Sequence, residues 1–120
     1  MACRPEHNLE PIQKTTLTNG LRIVSCNIPH AHSVTIAVFV GVGSRFESED
    51  QMGMSHFLEH LLFKGTSNIP NPADISATIE GVGGSLNAST EEELTTYWCK
   101  VPKYHFNVSI DLLLDMLRNS

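Results

Sequence analysis

Apolar positions along the chain change period several times, and each change marks an element. Lys14-Thr15-Thr16-Leu17 and Leu21-Arg22-Ile23-Val24-Ser25-Cys26 are β-prone runs around Thr18-Asn19-Gly20. Asn-Gly between such runs predicts a hairpin, because both residues tolerate positive φ. Pro29-His30-Ala31-His32 makes a turn. His30 and His32 read as exposed loop residues, although i, i+2 spacing also suits chelation from one strand face. Ser33 to Val40 is nearly all apolar and β-branched, which predicts a central strand buried on both faces.

Helical periodicity takes over at Ser55-His56-Phe57-Leu58-Glu59-His60-Leu61-Leu62-Phe63, a run free of Pro and Gly. At about 100° per residue, His56, Glu59, His60 and Phe63 share one face. Met54, Phe57, Leu58, Leu61 and Leu62 share the other, which is expected to anchor the helix in the core. Gly65 is the expected C′ residue. Asn71-Pro72 reads as an N-cap and first helical residue, opening a helix over 73–80 with Ile75 and Ile79 on its buried side. Gly81-Val82-Gly83-Gly84 stops it. Strands follow at Ser85 to Thr90 and Leu94 to Val101, joined by Glu91-Glu92-Glu93. Pro102 begins a third helix with apolar positions Phe106, Ile110, Leu113, Leu114 and Leu117. Three strands, two helices, two strands and a helix make an α+β domain: a mainly antiparallel or mixed sheet with helices on one face.

Composition narrows the function. The chain has 120 residues, enough for one small core, and 41% are hydrophobic. Net charge is −5 and no basic run occurs, which argues against nucleic-acid binding. No apolar run approaches a membrane span. Residues 1–12 read as a flexible N-terminal segment without a secretory pattern. Cys3, Cys26 and Cys99 are odd in number and scattered, which suggests neither a zinc ribbon nor a disulfide framework. Together these predict a cytoplasmic location, with the mitochondrial matrix as the alternative. Gly41-Val42-Gly43 is not a phosphate loop, since it lacks the third Gly and the βαβ context.

The candidate chemistry lies in His56-x-x-Glu59-His60. Two imidazoles one turn apart can reach one zinc ion. A carboxylate beside them can take a proton from a water that the metal activates. The order is the reverse of His-Glu-x-x-His, the inverted zincin pattern. Glu beside His also occurs as a plain surface pair on helices. The division into an apolar face and a His/Glu/His face favours the metal reading.

Two blocks carry a family resemblance. The first is Gly43-Ser44-Arg45-Phe46-Glu47 followed by Gly53 to Thr66, with His56-Phe57-Leu58-Glu59-His60 at its centre. The second is Gly83-Gly84-Ser85-Leu86-Asn87-Ala88-Ser89-Thr90, then Glu93, Thr95 and Tyr97. Together they resemble the N-terminal domain of the pitrilysin-type metallopeptidases, the inverted zincins. The Phe63-Lys64-Gly65-Thr66 ending is similar to the branch of the mitochondrial processing peptidase β subunit and the bacterial processing proteases.

The resemblance implies a zinc-dependent endopeptidase acting on extended peptides or presequences. His56 and His60 would bind Zn2+, and Glu59 would be catalytic. Ser85, Leu86, Asn87, Ala88 and Thr90 would bind substrate, which adds to an exposed sheet edge as an extra strand. Glu91 and Glu92 read as a solvated turn, with Glu93 held as a residue supporting the site. The family's third zinc ligand is a Glu on a helix downstream of Ser120. Residues 13–120 are therefore expected to form part of a peptidase domain, short of that ligand and inactive alone. Remaining peptidase domains or a homologous subunit are the implied partners. A non-catalytic subunit or interaction module on the same fold is the alternative, though such proteins tend to lose His-x-x-Glu-His.

Overall fold

A computed structural model of the chain describes residues 12–120. The segment read as flexible, 1–12, lies outside these residues but for Ile12. The chain divides into two units, residues 1–31 and 32–120.

In the first unit β1 (Gln13–Thr16) and β2 (Arg22–Ser25) pair antiparallel, with Thr16 opposite Arg22. The Leu17 amide donates to Leu21 O (2.8 Å) and the Gly20 amide to Leu17 O (2.9 Å). The predicted hairpin forms, but only Gly20 is left-handed, at φ 88. Asn19 instead accepts the Leu21 amide on Oδ1 (3.1 Å). The connection is a longer turn closed by one glycine, not a two-residue turn with two left-handed positions.

The second unit contains β3 (Ser33–Val40), α1 (Met54–Leu62), α2 (Pro72–Glu80), β4 (Ser85–Thr90), β5 (Thr95–Pro102) and α3 (Phe106–Asn119). Its sheet has the order β3-β5-β4 with antiparallel pairing throughout. Ile36 and Leu86 flank Cys99, Val38 and Ala88 flank Tyr97, and Val40 and Thr90 flank Thr95. Directly opposed residues share a sheet face, so these nine side chains form one surface. The expectation of an α+β domain holds.

Three expectations about burial do not. Among the described residues β3 is an edge strand, and its side chains alternate between exposed and half-buried. β5 is the central strand, with Thr95, Tyr97, Cys99 and Val101 buried. A β-branched run suits a half-buried surface as well as a fully buried one, and Phe39 stands 66% exposed on the open face.

The third helix starts later than expected. Pro102 ends β5, a short 3-10 turn spans Lys103–His105, and α3 follows. Its buried positions are Ser109, Leu112, Leu113 and Met116, whereas Phe106 and Leu114 are exposed. Ser109 fits this face because its hydroxyl donates to Phe106 O (2.8 Å), leaving no unpaired polar group.

The third difference is in α1. Met54, Phe57, Leu58 and Leu61 are exposed, while Ser55 and Glu59 are the buried residues. Leu62 and Phe63 alone of its apolar positions pack against the core. The helix is thus turned with the carboxylate inward. It ends at Leu62 with Phe63 as C-cap, so Gly65 is not C′. Gly65 sits beyond the cap at φ +134, where a Cβ would lie 2.5 Å from Pro70 O.

α2 forms as expected. Asn71 Oδ1 accepts the Ala73 amide (3.1 Å), Pro72 opens the helix, and Ile75 and Ile79 are fully buried. These two pack with Tyr97, Cys99 and Val101 of β5 and Leu112, Leu113 and Met116 of α3 to form the core. The segment after α1 is tied to α3 through Asp115. Thr66 Oγ1 and Asn68 Nδ2 donate to its two oxygens at 2.5 Å each, and Asn119 Nδ2 at 2.6 Å. The Thr66, Asn119 and Asn68 bonds hold the Asp115 carboxyl below the usual carboxylate range. Among the described residues no helix is long and apolar enough to cross a membrane.

Two adjacent leucines separate the observed helix face from the expected one. Leu113→Ala should destabilise the chain by about 2–5 kcal/mol, as a buried truncation does. Leu114→Ala should cost less than about 1 kcal/mol. Urea unfolding of both variants measures the contrast.

Candidate functional site

The site is built where α1 crosses the end of β4. Gly53, left-handed at φ 84, precedes the helix and offers no side-chain cap. The cap comes from upstream instead. Glu47 accepts the Gly53 amide on one oxygen and the Ser55 amide on the other, both at 2.7 Å. The Ser55 hydroxyl and these amides hold the Glu47 carboxyl below the usual range. A carboxylate at this end also meets the positive pole of the helix dipole.

From that anchored start, His56 and His60 follow one turn apart. Their rings lie 4.6 Å apart between centroids and are tilted by 48°. Both residues are exposed. Glu59 lies between them in sequence but points inward, at 8% exposure. Thr90 Oγ1, at the end of β4, donates to Glu59 Oε2 at 2.5 Å. A buried carboxylate is costly unless hydrogen-bonded, and this bond supplies the partner. Thr95 sits beside Thr90 and donates to Val42 O (2.9 Å). Tyr97, buried on the same sheet face, feels the same carboxylate. Burial pushes its phenol up, and the Glu59 charge pushes it further.

A cleft of about 670 Å³ opens between these elements, lined in part by His56, Glu59, Ala88, Ser89 and Thr90. β4 pairs only with β5 among the described residues, so its other edge is unpaired. Ser85 and Asn87 are exposed on one sheet face, while Leu86, Ala88 and Thr90 are half-buried on the other. The Ala88 amide donates to Asn87 Oδ1 (2.8 Å), which occupies one main-chain donor of the strand. The structure thus brings His56, Glu59, His60 and Thr90 together, with Ser85, Leu86, Asn87 and Ala88 extending away along β4.

Zinc chemistry can be tested on the donors present. Two neutral imidazoles on one helical turn match two of the usual ligands of a catalytic zinc. No cluster of three or more His, Cys, Asp or Glu that could hold a metal exists among the described residues. The pair therefore fits zinc as two ligands of an incomplete set. The Glu93 carboxylate, with that of Glu92, pairs with Arg45. The Glu91–Glu93 turn is therefore not merely solvated. His30 and His32 are both exposed, as read from the sequence.

The model of Insulinase (Peptidase family M16) matches residues 22–120. The chain belongs to that family. An uncharacterized zinc protease of Streptomyces coelicolor is 43% identical over 115 residues, covering 96% of this chain and 25% of its own length. The probable mitochondrial-processing peptidase subunit beta of Arabidopsis thaliana is 45% identical over 106 residues, covering 88% of this chain and 20% of its own. The crystal structure of a protease from Helicobacter pylori superposes with a TM-score of 0.84 at 31% identity, over 92% of this chain and 27% of that one. This insulinase-family chain thus spans about a quarter of the relatives it matches.

The Glu59–Thr90 bond leads to a direct test within this insulinase-family chain. Thr90→Val keeps the shape but leaves the buried carboxylate without its donor, and should cost about 1–3 kcal/mol. Thr90→Ser, which keeps the hydroxyl, should recover most of that. Denaturant unfolding at neutral pH measures both.

Proposed function

We propose that this chain is the metal-binding and substrate-aligning part of a zinc endopeptidase that hydrolyses extended peptides or presequences. Residues 13–120 are, on this reading, the first part of a longer peptidase domain. The third metal ligand and the further domains, or a homologous subunit, come from outside the described residues. Family membership supports the reaction class, and the names of the relatives support zinc as the metal.

His56 and His60 would hold the ion through their imidazoles. Zinc bound there supplies Lewis acidity, which polarises a peptide carbonyl and lowers the pKa of a water. Glu59 would take a proton from a water in the cleft as general base and return it to the leaving amine as general acid. Its Oε2 is held by Thr90, which fixes the carboxylate and leaves Oε1 for proton transfer. Thr90 therefore acts on Glu59, and its place in the cleft lining at the end of β4 also suits a substrate contact.

The substrate adds to the free edge of β4 as another strand, paired through those main-chain groups of Ser85, Leu86, Asn87 and Ala88 that face away from β5. Main-chain pairing tolerates many side chains, which suits presequences of varied composition. The Asn87 carboxamide must leave the Ala88 amide when that amide pairs with substrate.

The observation that carries this reading is the orientation of α1. Its carboxylate is buried and tied to the edge strand, while the two imidazoles on the same turn stay open. In the assembled peptidase, Glu59→Gln should lower peptide hydrolysis by about 10²–10⁴-fold and leave zinc content unchanged. Undiminished hydrolysis would remove Glu59 from the reaction. The 120-residue chain alone should hydrolyse no peptide.

A further inference from the structure

The run Gly43-Ser44-Arg45-Phe46-Glu47 lies outside the metal and proton chemistry just described, yet it touches both sides of the cleft. On one side it holds the β4–β5 turn. The Ser44 amide donates to Glu91 O (3.3 Å) and the Arg45 amide to Glu92 O (2.8 Å). The Arg45 guanidinium reaches the carboxylates of Glu92 and Glu93. Gly43 is buried against the same turn, where a Cβ would lie 2.3 Å from Glu91 O and 2.6 Å from Glu92 O. On the other side, the Gly53 and Ser55 amides donate to Glu47, one to each carboxylate oxygen.

These contacts run in an unbroken chain. The turn fixes the end of β4 and therefore Thr90; the four residues 43–46 link it to Glu47; Glu47 fixes the first turn of α1 and therefore His56. Ser44 and Glu47 also line the cleft floor. We infer that residues 43–47 are a clasp that sets the separation of α1 from the edge of β4, with Glu47 as a positioning residue for the metal-binding imidazoles. This rests on the zinc reading proposed above. The clasp acts through geometry, since Glu47 bonds only to backbone and to Ser55. Removing it frees the helix start, so that the imidazole pair is no longer held ready for one ion. Partners that orient a metal site from outside its ligands typically matter by about 10–100-fold in affinity.

Zinc alone is the probe, titrated calorimetrically into the 120-residue chain, with amide hydrogen exchange followed by NMR. Glu47→Ala should weaken zinc binding about tenfold and remove protection from the Gly53 and Ser55 amides. Glu47→Gln keeps one of the two acceptor oxygens and should fall between Glu47→Ala and the unchanged chain. Such partial rescue separates positioning from simple loss of fold. His60→Ala is the control for the metal reading. If it weakens zinc binding while Glu47→Ala does not, the clasp has no role in the site and the inference is overturned. If His60→Ala leaves zinc binding unchanged, the metal reading fails, and the positioning role resting on it falls too. Should Glu47→Ala not fold, Glu47→Gln carries the comparison. Gly53 and Ser55 amides that exchange as fast as open ones in the unchanged chain overturn the cap itself.

Discussion

A buried carboxylate decides how this domain is put together. Glu59 sits on a helix with enough leucine, methionine and phenylalanine to bury a wholly apolar face. It is nevertheless Glu59, with Ser55, that faces inward. That arrangement survives only because Thr90 presents a hydroxyl at the right place on β4. The bond ties α1 to the edge strand β4, so the acid group and the unpaired strand edge hold a fixed relation. With Glu59 turned inward, His56 and His60 lie on the open flank, which suits the proposed role of two ligands of one ion.

The rest of the second unit supports that junction. The core of Ile75, Ile79, Leu112, Leu113 and Met116 lies against β5 and stiffens the strand that carries β4. Asp115 fastens the segment leaving α1 to α3 through two side-chain bonds, from Thr66 and Asn68. Glu47 and Gly43 fasten the segment entering it. Both ends of α1 are thus held by polar contacts, and its packing against the core is confined to Leu62 and Phe63.

Local signals in the sequence were reliable where one residue determines the geometry. Asn71-Pro72 opened α2, Ile75 and Ile79 were buried, and Gly20 closed the hairpin. The imidazole pair and Glu59 stood out because helical spacing puts them on one turn. Orientation was harder to read. Periodicity finds a helix face but not which neighbour it meets, and α1 shows a polar face turned inward because one threonine can satisfy it. The same limit applies to α3, whose contact face includes Ser109, a residue that no apolar pattern would select. β3 read as central because a β-branched run looks alike at an edge and in a sheet interior. The Glu47 cap had no short signature either. A capping box spans three residues, whereas Glu47 reaches amides six and eight residues away.

Zinc titration followed through the imidazole 15N resonances of the chain tests most directly whether this turn of α1 is a metal site. The account predicts that the His56 and His60 signals shift together and saturate at one equivalent of zinc, with those of His30 and His32 unmoved. Independent shifts of His56 and His60, or saturation at two equivalents, would contradict it.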